Sequence, residues 1–209
     1  MFRKVVVQLL AVFVMALATA GSWAAETHEP VNHRFCFTCH GTDGIGSEGI
    51  QGPRLAGMES WSLKRQLELF RAGGRGKLPS DIQGMEMQPM AAILTDENIA
   101  DILEWAATWE YVPATPTLTG GDATRGRQLY QACASCHGDA AQGSEAMNAP
   151  ALAGQNDWYL VTQLKNFKAG YRGVDPLDQY GAMMRTMTSG LADDKAIVDV
   201  VSYINTLGR

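Results

Sequence analysis

The chain has 209 residues, a length that suits one or two domains, and its 46% hydrophobic content with 19% charged residues excludes a disordered chain. Its 22 acidic side chains outnumber 17 lysines and arginines, for a net charge of −5. With no basic stripe, that balance argues against a nucleic-acid partner.

In chain order, Arg3 and Lys4 come first, followed by an apolar run from Val5 to Ala20 and small residues around Ser22-Trp23-Ala24. This pattern predicts a secretory signal over residues 1–24, cut after Ala24. The competing reading is a retained anchor, but a 16-residue run interrupted by Gln8 falls short of the ~20 residues a spanning helix needs. No later segment is apolar enough to span a membrane, so the mature chain is expected to be soluble and periplasmic. Cleavage leaves 15 basic against 22 acidic side chains, a net of −7. Residues 25–112 hold 13 acids and 7 bases, while residues 113–209 hold 9 and 8. A field that steers a partner therefore comes mainly from the first half.

The first half opens on residues 26–32, where Pro30 opposes a helix. Cys36-Phe37-Thr38-Cys39-His40 follows. Ser60 is placed to cap a helix with apolar residues at Trp61, Leu63, Leu67 and Phe70. A second helix begins at Thr95-Asp96-Glu97, with acids in its first turn, and runs through Ile99, Ile102, Leu103 and Trp105. Residues 111–121 carry two prolines and several threonines, the composition of a fairly stiff connector.

The second half starts with a good leading helix over residues 121–130 and then repeats the order of the first. Cys133-Ala134-Ser135-Cys136-His137 precedes a helix capped by Asp157, with Trp158, Leu160, Leu164 and Phe167 on its apolar face. The last helix runs from Asp193-Asp194 to about Leu207. At an offset of 97 residues, Cys36 to Asp96 aligns without a gap on the second half, and about 25 of 61 positions are identical. That match predicts a duplicated domain: 25–112 first, 113–209 second, all-α because strand-like alternation is absent. Each half is too small and too poor in helices for a thick core of its own, so another component must fill the middle.

C-x-x-C-H is the attachment signature of c-type haem. On a helical turn, residues i, i+3 and i+4 share a face, so Cys36 and Cys39, or Cys133 and Cys136, can bond a porphyrin while His40 or His137 reaches its iron. A thiol redox pair would expect a strand-helix-strand context, zinc would want four ligands where each motif gives three, and a disulfide explains neither histidine. Two covalent haem c groups are therefore expected, one per half. The remaining histidines, His28 and His33, have no counterpart in the second half. If both irons are ligated alike, the distal ligand is methionine, which raises the potential. Met87 and Met90 align with Met184 and Met187, whereas Met147 and Met183 have no methionine counterpart. Spacing alone does not choose within each pair, and either member could be a core gap-filler. Trp61, Trp158, Arg75 and Arg172 are candidates for haem edges or propionates, or else ordinary core and solvated surface.

Both C-x-x-C-H-G motifs, P-x-L-A-G at 53–57 and 150–154, the Gln-Leu helix and M-x-x-M-x-x-x-L at 87–94 and 184–191 together carry a family resemblance. The sequence resembles the di-haem class I cytochromes c of the cytochrome c-four group, and is similar to the di-haem subunit of flavocytochrome c sulfide dehydrogenase. That resemblance implies two tandem class I cytochrome c domains, each a few helices wrapped around a haem. It implies Met87 and Met184 as iron ligands, and a main-chain carbonyl near Pro53 and Pro150 that takes the imidazole N–H. The expected function is single-electron transfer between redox proteins: a donor dehydrogenase or quinol-oxidising complex, and an acceptor oxidase or reductase. The alternatives are a bound electron-accepting subunit of a dehydrogenase and a di-haem peroxidase. The peroxidase needs an open iron site that two repeated methionines argue against.

Overall fold

The computed structural model describes residues 34–208, and among them the regular elements are eight α-helices. The signal segment, His28, His33 and Pro30 lie outside the described residues. The first half forms α1 (Arg34–His40), α2 (Ser60–Arg71), α3 (Ile82–Ala92) and α4 (Asp96–Ala106). The second forms α5 (Ala123–His137), α6 (Asp157–Ala169), α7 (Gln179–Thr188) and α8 (Asp194–Ile204). The β-pairing among the described residues is a pair of equivalent isolated bridges, Ser47 with Gly52 and Ser144 with Ala149. No described helix is long and apolar enough to cross a membrane.

Two helix starts differ from the sequence expectation. The N-caps of α2 and α6 are Glu59 and Asn156, one residue before Ser60 and Asp157, and neither side chain caps its own helix. Both reach into the other half instead. Asp157 is buried, and its carboxylate accepts from Thr117 N at 2.7 Å, Leu118 N at 2.8 Å, Thr117 Oγ1 at 3.0 Å and Asn205 Nδ2 at 3.1 Å. Desolvation pushes its pKa up, but the combined bonds from Leu118, Thr117 and Asn205 outweigh that and hold it below the usual carboxylate range. The connector is thereby fastened along the second half. Elsewhere the caps follow the sequence: Thr95 and Asn98 form a reciprocal capping box on α4, and Asp193 caps α8.

Periodicity places the core. Leu63 and Leu67 of α2 pack on Ile99, Ile102 and Ala106 of α4, with Leu55, Met87 and Trp109 against them. In the second half Tyr130, Leu160, Ile197, Val200, Val201 and Ile204 join α5, α6 and α8. Each such large side chain contributes roughly 1.5–3 kcal/mol by leaving water. Helices α5 and α8 cross at Gly126, where a Cβ would collide with the Asp199 carbonyl. One turn along, Tyr130 packs its ring 5.5 Å from Tyr203 and donates to Gly138 O at 2.8 Å, fixing the C-terminal end of α5. In the first half α1 meets α4 through Phe37 and Trp105, 5.1 Å apart.

Candidate haem sites

Both C-x-x-C-H motifs close a helix, so their thiols and imidazole share one face at i, i+3 and i+4. All four thiols are unbridged and half-buried. Burial raises the pKa of Cys36 and of Cys133. Directly after each histidine, Gly41 (φ +80°) and Gly138 (φ +81°) turn the chain through a left-handed conformation that a side chain would strain.

His40 and His137 are buried. Each donates from Nδ1 to a main-chain oxygen at 2.7 Å, His40 to Pro53 and His137 to Pro150. A carbonyl only accepts, so Nδ1 carries the hydrogen and Nε2 keeps its lone pair. Burial lowers both histidine pKa values, partly offset by those bonds and, at His137, by Glu59. Neutral imidazoles with a fixed tautomer are what an iron site requires. The carbonyls implied by the resemblance are thus those of Pro53 and Pro150 themselves.

The methionines separate by burial. Met87 on α3 is half-buried against the first core, and Met184 on α7 is half-buried at the equivalent place. Met90 and Met187 are 42% and 45% exposed, and Met147 and Met183 are exposed as well. That these methionines stand on helices was not expected from the residues, since no apolar stripe marks either segment. Asp81 and Asp178 start α3 and α7 by accepting from Gly84 N at 3.2 Å and Gly181 N at 2.9 Å.

Arg75 and Arg172 lie between the halves. Gln66 Oε1 accepts from Arg75 at 2.5 Å and Arg172 at 2.9 Å; Gln163 Oε1 accepts from Arg172 at 2.8 Å and Arg75 at 3.4 Å. The guanidinium carbons sit 4.2 and 4.4 Å from the ring centroids of Phe70 and Phe167. Burial first, then the neighbouring Arg75 charge, push the Arg172 pKa down to about 10. The Nε atoms of both arginines are buried and have no hydrogen-bond partner within the chain. Two crowded guanidiniums with unused donors suit carboxylate groups, and a haem brings two propionates. The donor set, thiols and neutral imidazoles together therefore fit haem c. Trp61 and Trp158 are half-buried, and the Arg65 guanidinium lies 5.4 Å from the Trp61 ring centroid. Gln66, Gln163, Glu59, Asn156, Asp81 and Asp178 are among the polar residues of this region to which the sequence assigns no role.

The cytochrome c family model matches residues 26–109 and again residues 123–208. The chain belongs to the cytochrome c family. It is 34% identical over 187 residues to the "Thiosulfate dehydrogenase electron acceptor" of Stutzerimonas stutzeri, covering 83% of this chain and 79% of that one. It is 30% identical over 221 residues to cytochrome c4 of Azotobacter vinelandii, covering 99% and 100%. The crystal structure of reduced recombinant cytochrome c4 from Pseudomonas stutzeri superposes with a TM-score of 0.65 at 27% identity, covering 84% of this chain and 94% of that one. The protein is thus a di-haem cytochrome c of two tandem domains, one haem c in each, and an electron carrier.

Proposed function

We propose that this cytochrome c works in the periplasm, with Cys36 and Cys39 tethering the first haem and Cys133 and Cys136 the second. In this reading His40 with Met87 and His137 with Met184 are the axial pairs. The observation that carries it is the matched donation from each histidine Nδ1 to a proline carbonyl at 2.7 Å, which leaves Nε2 as the metal-facing nitrogen in both domains. The burial of Met87 and Met184 relative to Met90 and Met187 supports the choice of methionine. When bound, the haem iron supplies the one-electron Fe(III)/Fe(II) couple. The chain's part is to hold each imidazole neutral and oriented, to keep water from it, and to place cationic donors between the domains.

The mature protein begins at Ala25, with domains over 25–112 and 113–209. Its partners are redox proteins: a donor dehydrogenase or quinol-oxidising complex and an acceptor oxidase or reductase, docking on the more acidic first domain. A second reading, a bound electron-accepting subunit of a dehydrogenase, is favoured by the relative named thiosulfate dehydrogenase electron acceptor. Haem quantification on the purified periplasmic protein should give two haems c per chain, with a methionine–iron band in the oxidised spectrum. One haem, or no such band, contradicts the ligand assignment. Co-elution with a dehydrogenase from periplasmic extract at physiological salt separates the subunit reading from the free carrier.

A further inference from the structure

Each proximal histidine shares a peptide group with the opposite domain. The Pro53–Arg54 peptide accepts from His40 Nδ1 on its oxygen at 2.7 Å, and donates from Arg54 N to Asn156 Oδ1 at 2.7 Å. The Pro150–Ala151 peptide accepts from His137 Nδ1 at 2.7 Å, and donates from Ala151 N to Glu59 Oε1 at 3.0 Å. Positions 54 and 151 are equivalent in the repeat, and so are 59 and 156. One contact is therefore made twice, in opposite directions. The chemistry of its far end differs: a neutral amide serves the first domain's histidine, a carboxylate the second's. Both residues are the N-caps that leave their own helix ends uncapped. Asn156 is further fixed by donating to Ile45 O at 3.3 Å.

A hydrogen bond to an ionised acceptor is roughly twice as strong as a neutral one, and linked bonds polarise one another. A carboxylate on the peptide N–H draws the amide toward its charge-separated form and makes its oxygen a better acceptor. The imidazole that donates to that oxygen gains imidazolate character and becomes a stronger ligand, which favours Fe(III). We infer that Glu59, a residue of the first domain, is a positioning residue that lowers the reduction potential of the second domain's haem through the Pro150–Ala151 peptide, while Asn156 leaves the first haem without that effect. The inference rests on the proposed ligation by His40 and His137. Its result is a built-in difference between the two haems, set across the interface by one side chain.

The test is Glu59→Gln in the full di-haem protein, an isosteric change that keeps an acceptor and removes the charge. Potentials are read for each haem by NMR-monitored redox titration on a resolved resonance from each domain. The expected result is a shift of the second haem's one-electron equilibrium toward reduction by about 3- to 10-fold, tenfold being 59 mV for one electron. The first haem stays unmoved, and the His137 Nδ1–H resonance of the reduced protein shifts while that of His40 does not. Asn156→Asp should move the first haem the opposite way. An unchanged second potential overturns the inference, as does an equal shift at both haems. A potential shift with an unmoved His137 Nδ1–H resonance also overturns it, because a field acting through space bypasses the peptide. Two haems with the methionine–iron band intact mean that such a failure belongs to the relay alone. Absence of that band in the unsubstituted protein would instead sink the ligand assignment.

Discussion

Gln66 in the first domain accepts a hydrogen bond from Arg172 in the second at 2.9 Å, while its own Arg75 donates to the same oxygen at 2.5 Å. Replacing Gln66 by Leu leaves the buried Arg75 and the half-buried Arg172 short of an acceptor, which costs about 1–3 kcal/mol. The denaturant midpoint should fall accordingly with two haems still attached. An unmoved midpoint would mean that the glutamine is not needed at the interface.

Met87→Ala and Met184→Ala should each abolish the methionine–iron band of one haem and lower that haem's potential. The fall is on the order of 0.1 V, a fraction of the ~0.8 V that axial ligands span. Met90→Ala and Met187→Ala, whose side chains are exposed, should leave the optical spectrum as it was. Loss of the band in the second pair and not the first would reverse the ligand assignment.

Asp157 and Asp199 make stability depend on acid. Asp199 is buried and faces desolvation first, but the Lys195 ion pair, Asp122 N at 2.8 Å and Arg125 at 2.9 Å hold its pKa down. A carboxylate with a depressed folded pKa contributes fully above its unfolded value of ~3.9, and the contribution vanishes as pH falls through the folded value. The contribution of these two carboxylates to the thermal midpoint should therefore be constant from neutral pH to about 5 and be lost below about 4. Asp157→Asn should shrink that loss and lower the midpoint at neutral pH. An acid profile identical to the unsubstituted protein's would contradict the assignment.

Gly126→Ala pits two effects against each other. Alanine favours a helix interior by about 1 kcal/mol over glycine. The added methyl runs into Asp199 O at the α5–α8 crossing, and overpacking costs about 1–3 kcal/mol. The contact is with backbone, which cannot rotate away, so net destabilisation is expected in thermal unfolding. A rise in midpoint would show that the helices separate freely.

Much of this fold is readable from the residues because the two halves state it twice. The 97-residue offset revealed that one domain is repeated in tandem, and apolar spacing marked α2, α4, α6 and α8. Helices α3 and α7 were not legible: Gly84 and Pro89 oppose a helix in α3, and Met85 and Met90 face water, so no apolar stripe marks it. Ser60 and Asp157 are good capping residues in isolation, yet both caps fall one residue earlier; at α6, tertiary bonds occupy the Asp157 carboxylate. The burial of Arg75 likewise could not be foreseen, since its partner Gln163 lies 88 positions away. One signal was available. Gln66 with Gln163 and Asp81 with Asp178 are identical in both copies, and a polar residue retained twice in a repeat marks a shared structural task.

The reciprocal contacts between positions 66 and 172, 75 and 163, 59 and 151, and 54 and 156 have the form of an isologous dimer interface, in which residue i meets j and j meets i. Here both sides belong to one polypeptide. The fastened connector converts what would be a concentration-dependent encounter of two monomers into an intramolecular one. Dilution in its compartment does not separate the two halves. Fusion also released the two sides from having to be identical, and positions 59 and 156 are where they have used that freedom.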